Sequence, residues 1–217
     1  MVQKEESDVQ MPASPLADSP KTRGRPKAYD RDSALKAMRR VFWAKGFAAT
    51  SLDDMSAATG MNRPSLYNAF GDKTAAFRAV LKDYVDDVRP LYREAFLAPV
   101  SLREGLTRVY ETAFAIYHSA DAQGMGCFMI AAALTDSKRD PGVGDMILDA
   151  LKEMEQGFIR RLQRAQSEGD LSSDADVHGL ARIACSGHNT ISVRMRAGES
   201  VEDIRDYLKQ MINVICK

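Results

Sequence analysis

The sequence predicts an all-α protein of about nine helices, in which a three-helix head precedes a longer helical body. Three observations support this fold class. Apolar residues recur at steps of three and four along most of the 217 residues, which is the period of a helix. No run alternates apolar and polar residues with β-branched enrichment, as a strand would. Glycine and proline interrupt the helical pattern at intervals and separate the predicted segments.

The first 27 residues precede the helical pattern. Residues 1–20 contain four acids, three prolines and few large apolar side chains, so we expect a disordered tail. Residues 21–27 read KTRGRPK and form a basic arm, whose glycine and proline disfavour a helix. We predict one N-terminal domain over residues 21–73, comprising the arm and three helices, and a second, helical domain over 74–217.

The first helix begins at Asp32. Residues such as Met38 and Phe42 follow one another at helical spacing and form its inward face. Lys45 and Gly46 close this helix, because a cation suits the last turn and glycine suits the left-handed position that often follows it.

The second and third helices are short. The second spans 52–59, is capped by Thr50 or Ser51 and ends at Gly60. The third spans 63–70, with Asn62 as its cap and a proline in its first turn, where an N–H has no partner within the helix. A glycine follows each helix, which predicts a tight turn between them.

A long fourth helix is predicted from Lys73 to about Ala98, and Pro90 is expected to kink or split it. Breaks at glycine and proline then separate the remaining helical segments. These segments are predicted at roughly 101–120, 126–137, 141–168, 174–197 and 200–216.

The net charge of zero hides an uneven distribution. Residues 21–82 hold thirteen Lys or Arg against five acids, a net charge of +8, whereas residues 83–217 carry −5 and residues 1–20 carry −3. A basic head on an acidic body is typical of a protein that meets phosphates with one end only.

Several classes of protein are disfavoured. No apolar stretch approaches the about 18–20 residues of a membrane-spanning helix, and the N-terminus lacks the apolar core of a secretory signal, so we expect a cytoplasmic protein without a membrane partner. Cys127, Cys185 and Cys216 are odd in number and form no CxxC pair, which argues against disulfides and structural zinc. No nucleophile–base pair, phosphate-binding glycine loop or carboxylate pair is visible, so no catalytic residue, metal or cofactor is predicted.

The second and third helices have the size and spacing of a helix-turn-helix. In that motif the second helix enters the major groove of double-stranded DNA, where Arg can pair with guanine and Asn with adenine, while Ser, Tyr and helix-end N–H groups hold phosphates. The basic arm can follow the backbone or enter a narrow minor groove. The predicted DNA contacts are Arg23, Arg25, Lys27, Thr50, Ser51, Asn62, Arg63, Pro64, Ser65, Tyr67, Asn68 and Lys73.

The run from Ala34 to Phe77 resembles the N-terminal domain of TetR/AcrR-type transcriptional regulators. The residues that carry this resemblance are Phe42, Lys45-Gly46-Phe47, Thr50-Ser51-Leu52, Ala57, Gly60-Met61, Ser65-Leu66-Tyr67, Phe70, Asp72-Lys73 and Phe77. The resemblance implies a homodimeric, ligand-released repressor whose recognition helices enter successive major grooves of a near-palindromic operator. The sequence departs from the family at Pro64, where Gly or Ala is usual, and at Asn68-Ala69, where Tyr-His is frequent. These departures bear on which bases are contacted.

The resemblance also implies that the last two helices form a four-helix bundle with a second copy of the chain. Their apolar faces supply the predicted dimer interface, which consists of Leu180, Ala184, Ile191, Ile204, Leu208, Met211 and Ile215. The alternative is that these faces complete the core of a single chain.

A cavity for an unidentified small-molecule effector among the central helices is likewise implied by the resemblance. Such a cavity needs apolar walls and a few polar groups. The residues predicted to line it are Phe96, Tyr110, Phe114, Tyr117, Phe128, Met129, Phe158 and His188.

Two alternative functions stay open at the level of sequence. The arm and head could bind DNA without sequence preference, although such a role has no need of a long acidic body. Cys127, at the start of a predicted helix, could sense oxidants or electrophiles, because a helix N-terminus lowers the pKa of a thiol. The alternative for Cys127 is a small buried apolar residue.

Overall fold

A computed structural model describes residues 30–119, 122 and 124–217. Every regular element within these residues is helical, so the predicted all-α class is confirmed. In chain order the elements are α1 (Arg31–Ala49), α2 (Leu52–Thr59), α3 (Arg63–Phe70), α4 (Lys73–Leu97), α5 (Leu102–Tyr117), a π-helix (Met129–Ala133), α6 (Pro141–Glu168), α7 (Val177–Arg196) and α8 (Val201–Ile215). The predicted tail and arm lie outside the described residues.

The three N-terminal helices and the start of α4 share one apolar core. The ring of Phe42 on α1 is fully buried and meets the ring of Phe77 on α4 edge-on, with centroids 4.9 Å apart. Leu66 and Phe70 anchor α3 to the same core and are 1% and 6% exposed. Burying a side chain of this size stabilises the fold by about 1.5–3 kcal/mol, so these anchors fix the orientation of α3.

The end of α1 lies beyond the predicted position. Gly46 has φ +75° and ψ 168°, which interrupts the helix, and a further turn then reaches Ala49. An L-residue rarely adopts this φ, so Gly46 is where the chain can bend towards α2.

The fourth helix is continuous, and the expected split at Pro90 does not occur. Proline removes one N–H from the helical ladder and crowds the carbonyl of residue 86. Ion pairs in the two turns before the proline hold the helix against its neighbours. Buried Arg39 of α1 lies 2.9 Å from Asp83 and 2.6 Å from Asp87, and Arg89 lies 2.9 Å from a glutamate on α6.

The segment before α6 differs from the predicted helix over 126–137. Only Met129–Ala133 is regular, as a π-helix, and residues 134–139 form turns. Gly126 has φ +74°, and a Cβ built on it would lie 2.7 Å from the backbone oxygen of Ser192 on α7. The close approach of two backbones therefore shapes this segment, and apolar spacing alone does not reveal it.

The last two helices complete the core of a single chain. Ala184, Ile191, Ile204, Leu208 and Ile215 are each at most 3% exposed. A side chain that its own chain encloses has no surface left for a partner, so these five residues of the predicted dimer interface are reassigned to the monomer core. The other two predicted residues, Leu180 and Met211, are half-buried.

The described helices include no membrane span, because none is both long enough and apolar enough. The same residues contain no group of three or more His, Cys, Asp or Glu side chains that could hold a metal ion. Cys127, Cys185 and Cys216 carry free thiols, in line with the interpretation of their odd number.

Candidate nucleic-acid interface and ligand cavity

The pair α2 and α3 is held by capping residues. The N–H of Asp54 donates to Ser51 Oγ over 3.1 Å, and the N–H of Ser51 donates to Asp54 Oδ2 over 2.9 Å, so the two residues form a capping box. Gly60 ends α2 with φ +68°, a conformation that favours glycine. Asn62 Oδ1 accepts the N–H of Ser65 over 2.9 Å at the start of α3. These bonds fix both helix ends and the turn between them.

The outer face of α3 is exposed and polar. Tyr67 is 51% exposed, although a large aromatic side chain usually finds a partner. Ser65 is half-buried, and the other residues predicted to meet DNA at this helix are exposed: Asn62, Arg63, Pro64, Tyr67 and Asn68. This face presents a guanidinium, two amides and a phenol, which are groups that bind base edges and phosphates.

Arg63 forms an ion pair with a carboxylate of α2. Its Nε donates to Asp53 Oδ1 over 2.9 Å and its Nη2 donates to the same oxygen over 2.6 Å. These hydrogen bonds raise the pKa of Arg63. Both side chains are exposed, so the pair is weak in water and DNA can displace the carboxylate.

Thr50 and Lys73 form hydrogen bonds within the head, and the burial of Thr50 corrects its predicted role as a phosphate contact, whereas a phosphate contact of half-buried Lys73 stays a prediction. Thr50 is 2% exposed, and its hydroxyl donates to the Gly46 carbonyl over 2.7 Å. Lys73 Nζ donates to the carbonyls of Phe47 and Thr50 over 2.9 and 2.8 Å and lies 4.4 Å from the centroid of the Phe47 ring. Lys73 thereby ties the end of α1 to α4.

The positive charge of the head is divided between the helices and the arm. Residues 30–82 hold nine Lys or Arg against five acids. The remaining cations belong to the arm, and the predicted contacts Arg23, Arg25 and Lys27 lie outside the described residues.

Comparison with known proteins decides the family. Residues 34–80 match the family model for bacterial regulatory proteins of the tetR family, and residues 103–211 match that for the tetracyclin repressor-like C-terminal domain. The chain is 35% identical over 188 residues to the HTH-type transcriptional repressor ComR of Escherichia coli strain K12, covering 85% of this chain and 88% of that protein. The chain belongs to the TetR family of transcriptional regulators. It is also 28% identical over 189 residues to the repressor BdcR of the same strain, covering 86% of this chain and 95% of BdcR.

A solved TetR-family structure contains DNA. The regulator CifR, studied as a cysteine mutant in complex with 26-bp double-strand operator DNA, has a TM-score of 0.78 to this chain at 30% identity, covering 87% of this chain and 98% of that one. The ketosteroid regulator KstR2 of Mycobacterium tuberculosis shares the fold, with a TM-score of 0.65 at 21% identity over 87% of this chain and 96% of that one. The chain is thus a DNA-binding transcriptional regulator, with a helix-turn-helix head on a helical body.

The body of this TetR-family regulator encloses a cavity of about 510 Å³ between α4 and α6. This volume is typical of a small-molecule site. Most of the wall is apolar, and its apolar and aromatic residues include Val85, Val88, Tyr92, Phe96, Leu97, Met129 and Met154.

Only some of the residues predicted to line the cavity do so. Four of the predicted residues line the cavity: Phe96, Tyr117, Met129 and His188. The other four are buried in the core and do not line it: Tyr110, Phe114, Phe128 and Phe158. Phe158 still supports the wall, because its ring meets the Phe96 ring edge-on at 5.0 Å between centroids. Helical spacing predicts that an aromatic residue is buried, but not whether it faces other side chains or a cavity.

The prediction missed Tyr92 and Arg161, which both line the cavity. Arg161 had a signal in the sequence, because it shares the inward face of α6 with Phe158, Leu162 and Ala165, at steps of three and four. An arginine in such an apolar stripe requires an explanation, since an unpaired charge is rarely buried.

A neutral polar pair, Tyr92 and His188, lines the cavity. His188 Nε2 is 2.9 Å from the hydroxyl of Tyr92, and the two rings meet edge-on. Burial lowers the pKa of His188 to about 4 and raises the pKa of Tyr92, so both groups are uncharged near neutral pH. His188 Nδ1 is buried and has no hydrogen-bond partner among the described residues. The pair can therefore bind an uncharged polar group of a ligand.

Cys127 lines the same cavity and is 4% exposed. The hydroxyl of Tyr84 donates to its Sγ over 3.6 Å, and its backbone N–H donates to Ser192 Oγ over 2.7 Å. A reagent would have to enter the cavity to meet this thiol. Sensing through Cys127 stays a prediction.

Proposed function

We propose that the protein is a homodimeric repressor that binds a near-palindromic operator and releases it when a small molecule fills the cavity. The observation that carries this proposal is the exposed, polar outer face of α3, held by capped termini beside a cavity-bearing body. The operator complex of CifR supports the same mode of DNA binding. Since its target is DNA, the protein acts in the cytoplasm, and no enzymatic step is part of the proposal.

The proposed DNA contacts are the exposed residues at α3 together with the cap of α2 and the arm. Arg63, Tyr67 and Asn68 are the candidates for base edges and phosphates, because they are exposed on one short helix. Ser51 is the exposed N-cap of α2, and the free N–H groups at the start of this helix attract a phosphate. The cations of the arm, Arg23, Arg25 and Lys27, add contacts to the backbone or the minor groove.

The proposed dimer face is an exposed stripe on α7 and α8, distinct from the buried face that the sequence suggested. On α7 and its C-cap Ala197 the stripe follows steps of three and four through Ile183, Ser186, Thr190, Val193 and Ala197, none of which is buried. These side chains are mostly small, which permits close approach of a second helix. On α8 the stripe continues with half-buried Tyr207 and exposed Gln210 and Val214. A two-fold axis beside α7 would bring both helices of two copies into one bundle.

Val193→Asp tests the dimer face. Val193 is 58% exposed in the single chain, so the substitution leaves the monomer core intact. In the dimer it would bury one carboxylate from each copy, and we expect the dissociation constant of the dimer to rise about 100-fold or more. Sedimentation velocity measures the change. Leu148→Asp on α6, at a position 53% exposed, is the matched control. If Val193→Asp left the dimer intact and Leu148→Asp dissociated it, the interface would lie on α6.

The regulatory function itself is tested by equilibrium titration against DNA that flanks the gene. We expect tight binding to a short inverted repeat, with a steep decrease in affinity as salt increases, because phosphate contacts release counterions. An excess of random DNA should compete poorly. Weak binding that random DNA abolishes would instead support the alternative of a non-specific DNA-binding protein.

A further inference from the structure

The charge of the cavity is opposite to that of the body. Its lining includes five arginines and one glutamate, whereas residues 83–217 as a whole carry a net charge of −5. The charged lining residues are Arg89, Arg93, Arg160, Arg161, Arg164 and Glu153. Low-dielectric walls focus the field of such charges, so the cavity attracts anions.

Arg161 is the buried member of this set, at 1% exposure. Its Nη2 donates to the carbonyl of Val100 over 2.6 Å, whereas Nε and Nη1 are buried without a hydrogen-bond partner among the described residues. No carboxylate of those residues forms an ion pair with it within 4.0 Å. Burial lowers the pKa of Arg161, although an arginine stays charged at neutral pH. Buried donors without acceptors are costly, and an anionic ligand would satisfy them.

The other arginines divide into paired and unpaired side chains. Arg89 is held by Glu153 at 2.9 Å, and Arg164 by Glu168 at 2.7 Å. Arg93 and Arg160 are exposed and form no ion pair with a described residue. Exposed cations of the lining can attract an anion, but only the buried Arg161 could hold it in a low dielectric, where the interaction is strongest.

The cavity is elongated. Helices α4 and α6 run parallel along it, since Arg89 of α4 meets Glu153 of α6 and, further on, the Leu97 carbonyl meets Arg164. The α4 lining extends from Tyr84 to Leu97, which corresponds to about 20 Å of helix. Arg161 lies towards the Leu97 end, and apolar side chains such as Val88 and Met154 contribute to the wall along the way.

We propose that the ligand is an elongated apolar molecule with one carboxylate, whose headgroup binds Arg161 and whose chain lies along Val88 and Met154. The inference rests on the proposed function in one respect only, namely that the cavity is the effector site. The buried guanidinium supplies a charge-assisted hydrogen bond to the carboxylate. The neutral pair Tyr92–His188 then faces the middle of the chain, where it can bind a hydroxyl or carbonyl.

Decanoate and decan-1-ol, which share a ten-carbon chain and differ in the headgroup, are the probes. Binding to the full-length protein is measured by calorimetry and by the fluorescence of Trp43, the single tryptophan. Trp43 contacts the cavity-lining Tyr84 edge-on at 5.5 Å between ring centroids, so it reports on occupancy. We expect decanoate to bind at least about tenfold more tightly than decan-1-ol. Equal or weaker binding of decanoate would overturn the proposal.

Arg161→Met removes the charge while keeping an apolar side chain. We expect it to weaken decanoate binding about tenfold or more and to leave decan-1-ol binding within about twofold. Lys152→Met is the matched control, because it removes a cation from the solvent side of the same helix and should change neither affinity. Loss of both affinities in Arg161→Met, with circular dichroism unchanged, would contradict an anion-specific role.

Gly105→Ala is a second variant that retains the arginine. A Cβ on Gly105 would lie 2.5 Å from Arg161 Nε, so the guanidinium must move away. We expect decanoate binding to decrease severalfold while decan-1-ol binding is kept. If decanoate binding is unchanged in both Gly105→Ala and Arg161→Met, Arg161 is not the anchor.

A separate measurement distinguishes this inference from the proposed function. Operator binding is measured on the unmodified protein with and without decanoate, and Lys152→Met is expected to bind the operator as the unmodified protein does. Decanoate that binds selectively but does not release the operator would refute its role as an effector and leave the carboxylate site intact. Specific operator binding without selectivity for decanoate would refute the carboxylate site and leave repression intact.

Discussion

Replacement of Gly126 with alanine is expected to lower the free energy of unfolding by about 2–5 kcal/mol. Two effects add at this position. The backbone has φ +74°, which an L-residue rarely adopts, and the new Cβ would lie 2.6 Å from Ser192 Oγ and 2.7 Å from the Ser192 backbone oxygen. Backbone cannot move aside as a flexible side chain does, so the segment before the π-helix must separate from α7.

Gly124→Ala is the matched control for this change. Gly124 has φ +78°, but no atom lies within 4 Å of a Cβ built on it. It therefore carries the conformational penalty alone, about 1–2 kcal/mol. Urea unfolding of both variants at one protein concentration separates the two effects, because the stability of an oligomer depends on concentration. Equal losses in the two variants would show that the contact with α7 is unimportant.

Removal of the side chain of Arg63 is expected to weaken operator binding at least about 30-fold, since each copy of the proposed dimer would lose the proposed two-pronged base contact. Discrimination at one base pair of each half-site should relax at the same time. Asp53→Asn is expected to tighten binding, because it frees the Arg63 guanidinium and removes a negative charge from the surface that faces DNA. Tyr67→Ala should weaken binding about tenfold without loss of discrimination if the phenol holds a phosphate.

Gel-shift titration and sedimentation measure these effects together, so that a change in dimerisation is not mistaken for a change in DNA binding. Arg108→Ala is the control, because Arg108 is an exposed arginine of α5 paired with Glu104 at 2.8 Å, as Arg63 is paired with Asp53. It should leave operator affinity unchanged. If Arg63→Ala behaves like Arg108→Ala, α3 is not the recognition helix.

Local signals in the sequence placed the head accurately. The capping residues Ser51 and Asn62 and the terminal glycine Gly60 predicted the limits of α2 and α3, and the structure has the helices at those limits. These signals succeed because a helix end is decided by a few adjacent residues whose side chains or backbone satisfy free N–H and C=O groups.

Assignments that depended on the partner of a residue were less successful. Periodicity indicated that Ile191 and Leu208 face something apolar, but it could not tell a neighbouring helix of the same chain from a second copy. The place of Lys73 at a helix start suggested a phosphate contact, which stays a prediction, but gave no sign of its hydrogen bonds to carbonyls 23 and 26 residues away in sequence. Distances of this kind are set by tertiary packing, for which a single sequence gives no local signal.

Because α4 is unbroken, one continuous helix connects the head to the far end of the cavity. Its 25 residues extend about 36 Å from Lys73, which is fastened to the head, to Leu97 at the far end of the cavity. A tilt of about 5° at the cavity end would carry the other end through about 3 Å over that length. If α4 tilted in each of two copies, the separation of the recognition helices would change by several ångströms, compared with a spacing of about 34 Å between successive major grooves. A ligand that tilts α4 slightly would therefore be sufficient to change the fit of the two recognition helices to DNA.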